Sequence, residues 1–246
     1  YEKTDSIIIN TLFVFGAILL LLEAFLSVNL SYIIFYGYLL NTVFIVALRM
    51  VPMFYFNITG VKPWKKPKFL REFAAILFVF IGIASQFELN ILLKVVSLIS
   101  LIFFSYIIVK LDFYKKTPAI LSILTYSFFW LLLGFISLTV ESFLELSSFK
   151  LSLHIFAVGY ILTLLIGFGS RVTLGHAVPA QPIKADKITV YLFFFTQIVA
   201  LLRIGSSLGF IANMNFFMNL LYVSSAAWIV LFILWSLRYA KILLRI

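Results

Sequence analysis

Both histidines of the chain lie in one apolar stretch, HIFAVGYILTLLIGFGSRVTLGH, which begins at His154 and ends at His176. An ionisable side chain costs roughly 2.5 to 3.5 kcal/mol inside a bilayer, so those retained there usually face a partner, a cofactor or water. Neutral imidazole binds haem iron and copper, and it also forms hydrogen bonds between membrane helices. This stretch is therefore the first candidate site, with His154 and His176 as candidate metal ligands.

The separation of the two histidines limits what they can bind. They are 22 residues apart, which on a helix is roughly 33 Å, a full membrane thickness. They cannot bind the same metal ion, and the absence of cysteine excludes a thiolate ligand. If both ligate, there are two sites at opposite faces, or each pairs with a ligand from outside this sequence. The structural alternatives are an interhelical hydrogen bond for His154 and a helix-end position for His176.

Three arginines are candidate cofactor-binding residues: Arg49, Arg171 and Arg203. Arg203 lies too deep in its apolar segment to reach the interface easily, so it needs a carboxylate such as Glu23, backbone carbonyls or an anionic group such as a haem propionate. Arg49 precedes Pro52, which disrupts a helix and leaves carbonyls without donors. The alternative for Arg49 is an interfacial anchor.

Depth along the apolar segments divides these residues into two groups. Arg203 and His154 lie toward one membrane face, whereas Arg49, Arg171 and His176 lie toward the other. Two methionine pairs, Met50 with Met53 and Met214 with Met218, each share a helix face. Their thioethers suit Cu(I), although methionine also fills gaps in apolar cores.

Composition predicts the elements that position these side chains. Hydrophobic residues make up 64% of the 246-residue chain and charged residues 11%, and apolar runs of spanning length recur throughout, which indicates a polytopic membrane protein. The runs lack the alternation of barrel strands, so the predicted fold is an all-α transmembrane bundle in a single domain, 1–246. We predict about eight spans, near 6–27, 32–56, 71–87, 89–109, 118–140, 151–172, 188–210 and 215–237. Clusters of small residues predict close helix packing in the sixth and seventh spans: Gly159, Gly167, Gly169 and Ser170, and Gly205, Ser206 and Gly209.

The net charge of +10 is carried by loops, where Lys and Arg set topology, so we expect a lipid partner and no nucleic acid. Eight spans place most basic residues on one side, which the positive-inside bias makes cytoplasmic, together with both ends of the chain. These basic residues are Lys3, Lys62, Lys65, Lys66, Lys68, Arg71, Lys110, Lys115, Lys116, Lys184, Lys187, Arg238, Lys241 and Arg245. The opposite side receives little beyond Lys94, Lys150, Glu88, Glu141 and Glu145.

The motifs of this chain resemble those of the NnrS family. RMVPMFYFN at 49–57 is similar to that family's arginine-proline-phenylalanine motif, and the stretch 154–176 is similar to its long histidine-to-histidine motif. LLRIGSSLG and LWSLRYAKILLR resemble its closing spans. One departure is Ala177, Val178, Pro179, where the family usually has threonine-glycine-arginine. Family members usually carry more spans and an early histidine-glutamate motif, so this chain, which opens with YEKTDS, is expected to correspond to the C-terminal two-thirds.

The resemblance implies a bacterial inner-membrane protein with haem, of b type, and copper, tied to nitric oxide, nitrosative stress and denitrification. It implies nitric oxide or a related small molecule as ligand, and His154, His176, Arg171, Arg49 and Arg203 as site positions. Partner ligands would then come from other subunits or further spans. The alternatives are a cofactor-free membrane subunit or scaffold, and a transporter.

Overall fold

Long apolar segments fold as helices here because backbone groups in lipid must be hydrogen-bonded within their own segment. The computed structural model describes residues 2–60, 62, 64–67, 69–111, 117–146, 150–177, 182–212 and 215–244. It is 86% helical, and no strand occurs among the described residues, which confirms the predicted all-α fold. The following residues named above lie outside the described residues: Lys68, Lys115, Lys116, Val178, Pro179, Met214 and Arg245.

The described part of the chain forms eight helices. They are α1 (Glu2–Leu26), α2 (Ile33–Thr59), α3 (Leu70–Gln86), α4 (Asn90–Leu111), α5 (Ala119–Phe143), α6 (Leu151–Gly175), α7 (Lys187–Ile211) and α8 (Phe217–Leu243). Seven of them are long and apolar enough to cross a membrane. The exception, α3, has 17 residues, which at about 1.5 Å per residue lies at the short end of the spanning range.

Two of these helices contain a wider, π-helical stretch. In α2 it covers Ile33–Leu40, before an α-helical part at Asn41–Thr59. In α6 it covers Ile155–Ile161, directly after His154, and α-helix resumes at Leu162. Such stretches are rare and often lie at functional sites. The second one therefore marks the same end of α6 that the sequence analysis selected.

The helices fall into two compact units, Tyr1–Leu111 and Asp112–Ile246. The core of the first unit contains three buried aromatic side chains in mutual contact, Phe44, Phe78 and Phe104, with ring centroids 4.9 to 5.6 Å apart. The side-chain amide of Asn41 is fully buried and donates to the carbonyls of Gly37 and Ala75, which ties α2 to α3.

In the second unit, tryptophans pack on glycines and hydrogen-bond across helices. A Cβ at Gly159 would lie 2.8 Å from the ring of Trp130, and one at Gly169 would lie 2.8 Å from Trp235. The Trp130 indole donates to Gln197 of α7 at 2.7 Å, and the Trp235 indole donates to a serine hydroxyl of α6 at 3.0 Å. The predicted close packing at these two glycines of α6 is thus confirmed.

The outer faces of the helices are apolar. Large exposed hydrophobic side chains line α1 and α8 in particular, among them Phe25, Leu26, Tyr222, Trp228 and Leu237. Contiguous apolar surface of this kind is unstable in water but suits the acyl chains of lipid. The chain is therefore built for a bilayer.

Candidate functional site: the His154–Arg203 pair

The end of α6 that carries His154 is fixed by a carboxylate from the preceding helix. Glu141, near the end of α5, is 5% exposed and accepts hydrogen bonds from the backbone N–H groups of Leu151 at 2.6 Å and Ser152 at 3.2 Å. The first N–H groups of a helix have no intrahelical acceptor, and a negative charge there is favoured by the helix dipole. Glu141 thus anchors the turn from which His154 projects.

The residue before α6 adopts a backbone conformation uncommon for its type. Lys150 has φ 50° and ψ 31°, in the left-handed region, where a non-glycine residue is disfavoured unless its surroundings hold it there. Its carbonyl oxygen accepts from the backbone N–H of His154 at 3.2 Å and from the imidazole Nδ1 of His154 at 2.7 Å. Lys150 and Glu141 together determine the orientation of the imidazole ring.

The other ring nitrogen of His154 faces α7. Its Nε2 is hydrogen-bonded to the Nη2 of Arg203, and the hydroxyl of Ser207, one turn further along α7, lies 3.4 Å from its Nδ1. Eight residues separate Arg203 from the end of α7 at Ile211, so its Cα lies about 12 Å from that end. His154 is the fourth residue of α6, so the pair joins the first turn of α6 to a position about two turns inside α7.

The polarity of these contacts assigns one tautomer to His154. A carbonyl oxygen only accepts, so Nδ1 carries the proton; a guanidinium nitrogen only donates, so Nε2 uses its lone pair to accept. Both contacts are satisfied by a neutral imidazole. The lone pair that would bind a metal ion is directed at Arg203.

His154 does not neutralise the positive charge of Arg203, because its imidazole is uncharged. Among the described residues of the second unit, no carboxylate lies within 4 Å of its guanidinium. In the first unit, the carboxylate of Glu23, considered above as a partner, accepts from the backbone N–H of Leu30, and its pairing with Arg203 stays a prediction. The described residues of the second unit thus leave the positive charge of Arg203 without an anionic neighbour.

A groove of about 270 Å³ opens beside Arg203 between α6, α7 and α8. Its lining residues are Val158, Val199, Arg203, Ser224, Ser225, Trp228 and Ile229. Arg203 is the one charged residue in this lining, and His154 does not contribute to it. The groove is slightly smaller than the roughly 300 to 1,000 Å³ of typical drug-sized ligand pockets, so it suits a small molecule.

The remaining predicted site residues lie apart from this pair. His176 is exposed at the far end of α6, where its backbone N–H donates to the carbonyl of Val172. Arg171, on the same helix, is 7% exposed. Five residues correspond to about 140° around a helix, so the two side chains leave α6 on different sides. Arg49 is half-buried in α2 of the first unit, three residues before Pro52.

The described residues bring few metal ligands together. No group of three or more His, Asp or Glu side chains converges in the described part of the chain, whereas a protein metal site ordinarily needs at least three such ligands or one open imidazole. A haem or copper ion at His154 would need displacement of Arg203 from Nε2. The exposed imidazole of His176 has no such contact and would need further ligands from elsewhere.

Comparison with protein-family models gives one match, to the NnrS protein family, over residues 4–246. The chain belongs to the NnrS family. Neither the curated proteins nor the solved structures contain a significant match to it. NnrS membership and seven apolar helices together make this a multi-pass membrane protein.

Three residues of this NnrS chain that act at the site were not singled out as site residues from the sequence. From the sequence, Glu141 and Lys150 are charges that set topology, and Ser207 is part of the LLRIGSSLG segment. The spacing of Glu141 before the predicted start of the next helix was an available signal, since a carboxylate near a helix start often caps it. Nothing in the sequence indicated the left-handed conformation of Lys150.

Proposed function

We propose that this NnrS chain acts in the nitrosative-stress response at the bacterial inner membrane, through a small-ligand site built on His154 and Arg203. The observation that carries the proposal is their hydrogen bond between two membrane-spanning helices of a chain that matches the NnrS model over nearly its whole length. A membrane cation held by a neutral acceptor is costly unless it serves a ligand or partner. Nitric oxide, or a molecule derived from it, is the ligand class that the family implies.

Haem and copper stay part of this proposal only with ligands from outside the described residues. His154 is satisfied by Arg203 and Lys150, so its contribution here is to hold the guanidinium in place. In a complete membrane assembly, other spans or subunits would supply the metal ligands. The chemistry assigned to this chain is therefore the binding of a small ligand at Arg203.

Complementation in cells tests the proposed function. A bacterial strain deleted for this gene is grown with a nitric oxide donor and complemented with the wild type, Arg203→Gln, His154→Gln or Arg238→Gln. Arg238 is the matched control, since it pairs with Asp186 outside the groove. We expect the wild type and Arg238→Gln to restore growth and the other two variants to fail at equal protein level in the membrane.

Full protection by both Arg203→Gln and His154→Gln would overturn the proposal and favour a scaffold role, because a scaffold needs the fold but not this pair. Visible spectra of the purified membrane protein, reduced and oxidised, with and without nitric oxide, form the second readout. A haem signal that responds to nitric oxide and persists in His154→Gln would place the metal ligands elsewhere, as proposed. Loss of that signal in His154→Gln would contradict the role assigned to His154.

A further inference from the structure

We propose that the groove beside Arg203 binds a small planar oxyanion, of the size and shape of nitrite or nitrate. The inference rests on the proposed function, since it names the ligand class of the same site. It starts from charge: the groove lining contains one cation and no acid, and no described carboxylate of the second unit lies within 4 Å of that cation.

The guanidinium geometry favours a planar anion. Arg presents five N–H donors in a rigid plane, and pairs of them match two oxygens of a carboxylate-like group. One donor, on Nη2, is occupied by His154, which fixes the rotation of the plane without neutralising it. The other donors remain for a ligand, and two parallel charge-assisted hydrogen bonds are the strong form of such recognition.

The size of the groove favours a free anion of a few atoms. Its volume of about 270 Å³ is made by Val158 and Val199 on one side and by Ser224, Ser225 and Trp228 of α8 on the other. A porphyrin is too large for this space, whereas a three- or four-atom oxyanion with one or two waters is not. The hydroxyls of Ser224 and Ser225, which donate to the Leu221 carbonyl, keep oxygen lone pairs for those waters.

A lipid phosphate has the same oxygen chemistry as a free oxyanion. Size favours the free anion, because a phosphodiester brings its glycerol and headgroup substituents, whereas the groove has a volume of about 270 Å³. The two sources are separable by experiment, because the supply of lipid phosphate depends on the lipid composition of the disc, whereas the supply of free anion depends on the solution.

The test is isothermal titration of sodium nitrite and, separately, sodium nitrate into the protein in nanodiscs of pure phosphatidylcholine, with sodium chloride as the salt control. We expect binding of one anion per chain, at least a tenfold loss of affinity in Arg203→Gln, and no change in Arg238→Gln. Repeating the titration in discs with phosphatidylglycerol should lower the apparent affinity by about threefold at most, because a surface potential of about −30 mV lowers the local concentration of a monovalent anion by that factor. No binding to the wild type, or equal binding to wild type and Arg203→Gln, overturns the proposal.

Two further results keep the proposal falsifiable. If Arg203→Gln does not yield folded protein, Arg203→Lys replaces it. Lysine keeps the charge but lacks the planar guanidinium, so we expect a several-fold loss of affinity for the anion. Unchanged affinity would contradict recognition by the planar guanidinium. A loss of anion affinity well beyond threefold on adding phosphatidylglycerol would identify lipid phosphate as the occupant and overturn the free anion. Loss of protection by Arg203→Gln in cells without anion binding in vitro would leave the proposed function standing while this inference fails.

Discussion

The carboxylate of Glu141 accepts a hydrogen bond of 2.6 Å from the backbone N–H of Leu151, ten residues further along the chain. This contact joins the end of α5 to the start of α6 and closes the short connection between them. The backbone N–H of Ser152 donates to the same carboxylate, so these two N–H groups at the start of α6 both have an acceptor. The position of His154 thus depends on a residue outside its own helix.

Glu141→Ala should destabilise the protein by about 1 to 2 kcal/mol, the usual cost of removing a helix cap. It should also weaken ligand binding at Arg203, since the turn that orients His154 would lose its anchor. Glu141→Gln keeps one accepting oxygen and should cost less. Thermal unfolding in detergent measures the effect, with Glu88→Gln, an exposed carboxylate after another helix, as the control. Equal stability of Glu141→Ala and wild type would contradict this role.

Lys66 compensates for a hydrogen bond that Pro52 removes from α2. Proline has no backbone N–H, so the carbonyl of Leu48, four residues earlier, lacks its helical donor. The ammonium of Lys66 donates to that carbonyl. A double-mutant cycle tests the pairing: Lys66→Met should cost about 1.5 to 3 kcal/mol in the wild type and little in a Pro52→Ala background, where a backbone donor is restored. An equal cost of Lys66→Met in the wild type and in Pro52→Ala would show that the contact does not compensate for the proline.

The same lysine should make stability depend on pH. Burial lowers the pKa of Lys66 to about 8 from its ordinary value of 10.5. Between these values the unfolded chain binds more protons than the folded one, so stability should rise as pH increases from about 8 to 10.5. Comparing the unfolding temperatures of wild type and Lys66→Met across this pH range separates the contribution of Lys66 from that of the other titrating groups. A constant difference between the two proteins would contradict the lowered pKa.

Much of this architecture could be predicted from the sequence, and each exception has a physical reason. The eight helices follow from long apolar runs, and the packing at Gly159 and Gly169 follows from small residues in a membrane helix. Depth along the segments placed His154 and Arg203 toward the same face. The roles of Glu141 and Lys66 were missed because each depends on a backbone group brought near by folding. The π-helical stretch after His154 was missed because it leaves no periodic signal in an apolar run.

Asp186 caps α7 and pairs with Arg238 of α8. It accepts from the N–H of Thr189 at 2.9 Å and from the Arg238 guanidinium at 2.8 Å. Partial burial acts to raise the pKa of Asp186, but the hydrogen bonds from Thr189 and the charge of Arg238 outweigh it and hold the pKa below the ordinary value of 3.8. The stabilisation is therefore present above pH 3.8 and should be lost as the pH falls below it.

Asp186→Asn should keep the helix cap, because asparagine caps as well as aspartate, while removing this acid dependence. Asp186→Ala should lose both the cap and the pair. Acid unfolding curves of the three proteins, followed by circular dichroism, distinguish these effects. Identical acid dependence in wild type and Asp186→Asn would show that the carboxylate charge has no part in stability.

The central claim is that His154 is a neutral imidazole, protonated at Nδ1, whose Nε2 accepts from Arg203. The chain contains two histidines, so ¹⁵N-histidine labelling gives two sets of ring signals, and the exposed His176 serves as an internal reference. Nitrogen NMR of the protein in nanodiscs at pH 7 should show a His154 ring with an unprotonated Nε2 whose signal shifts in Arg203→Gln, while His176 is unchanged. A His154 signal that is doubly protonated, protonated at Nε2, or insensitive to Arg203→Gln would contradict the account.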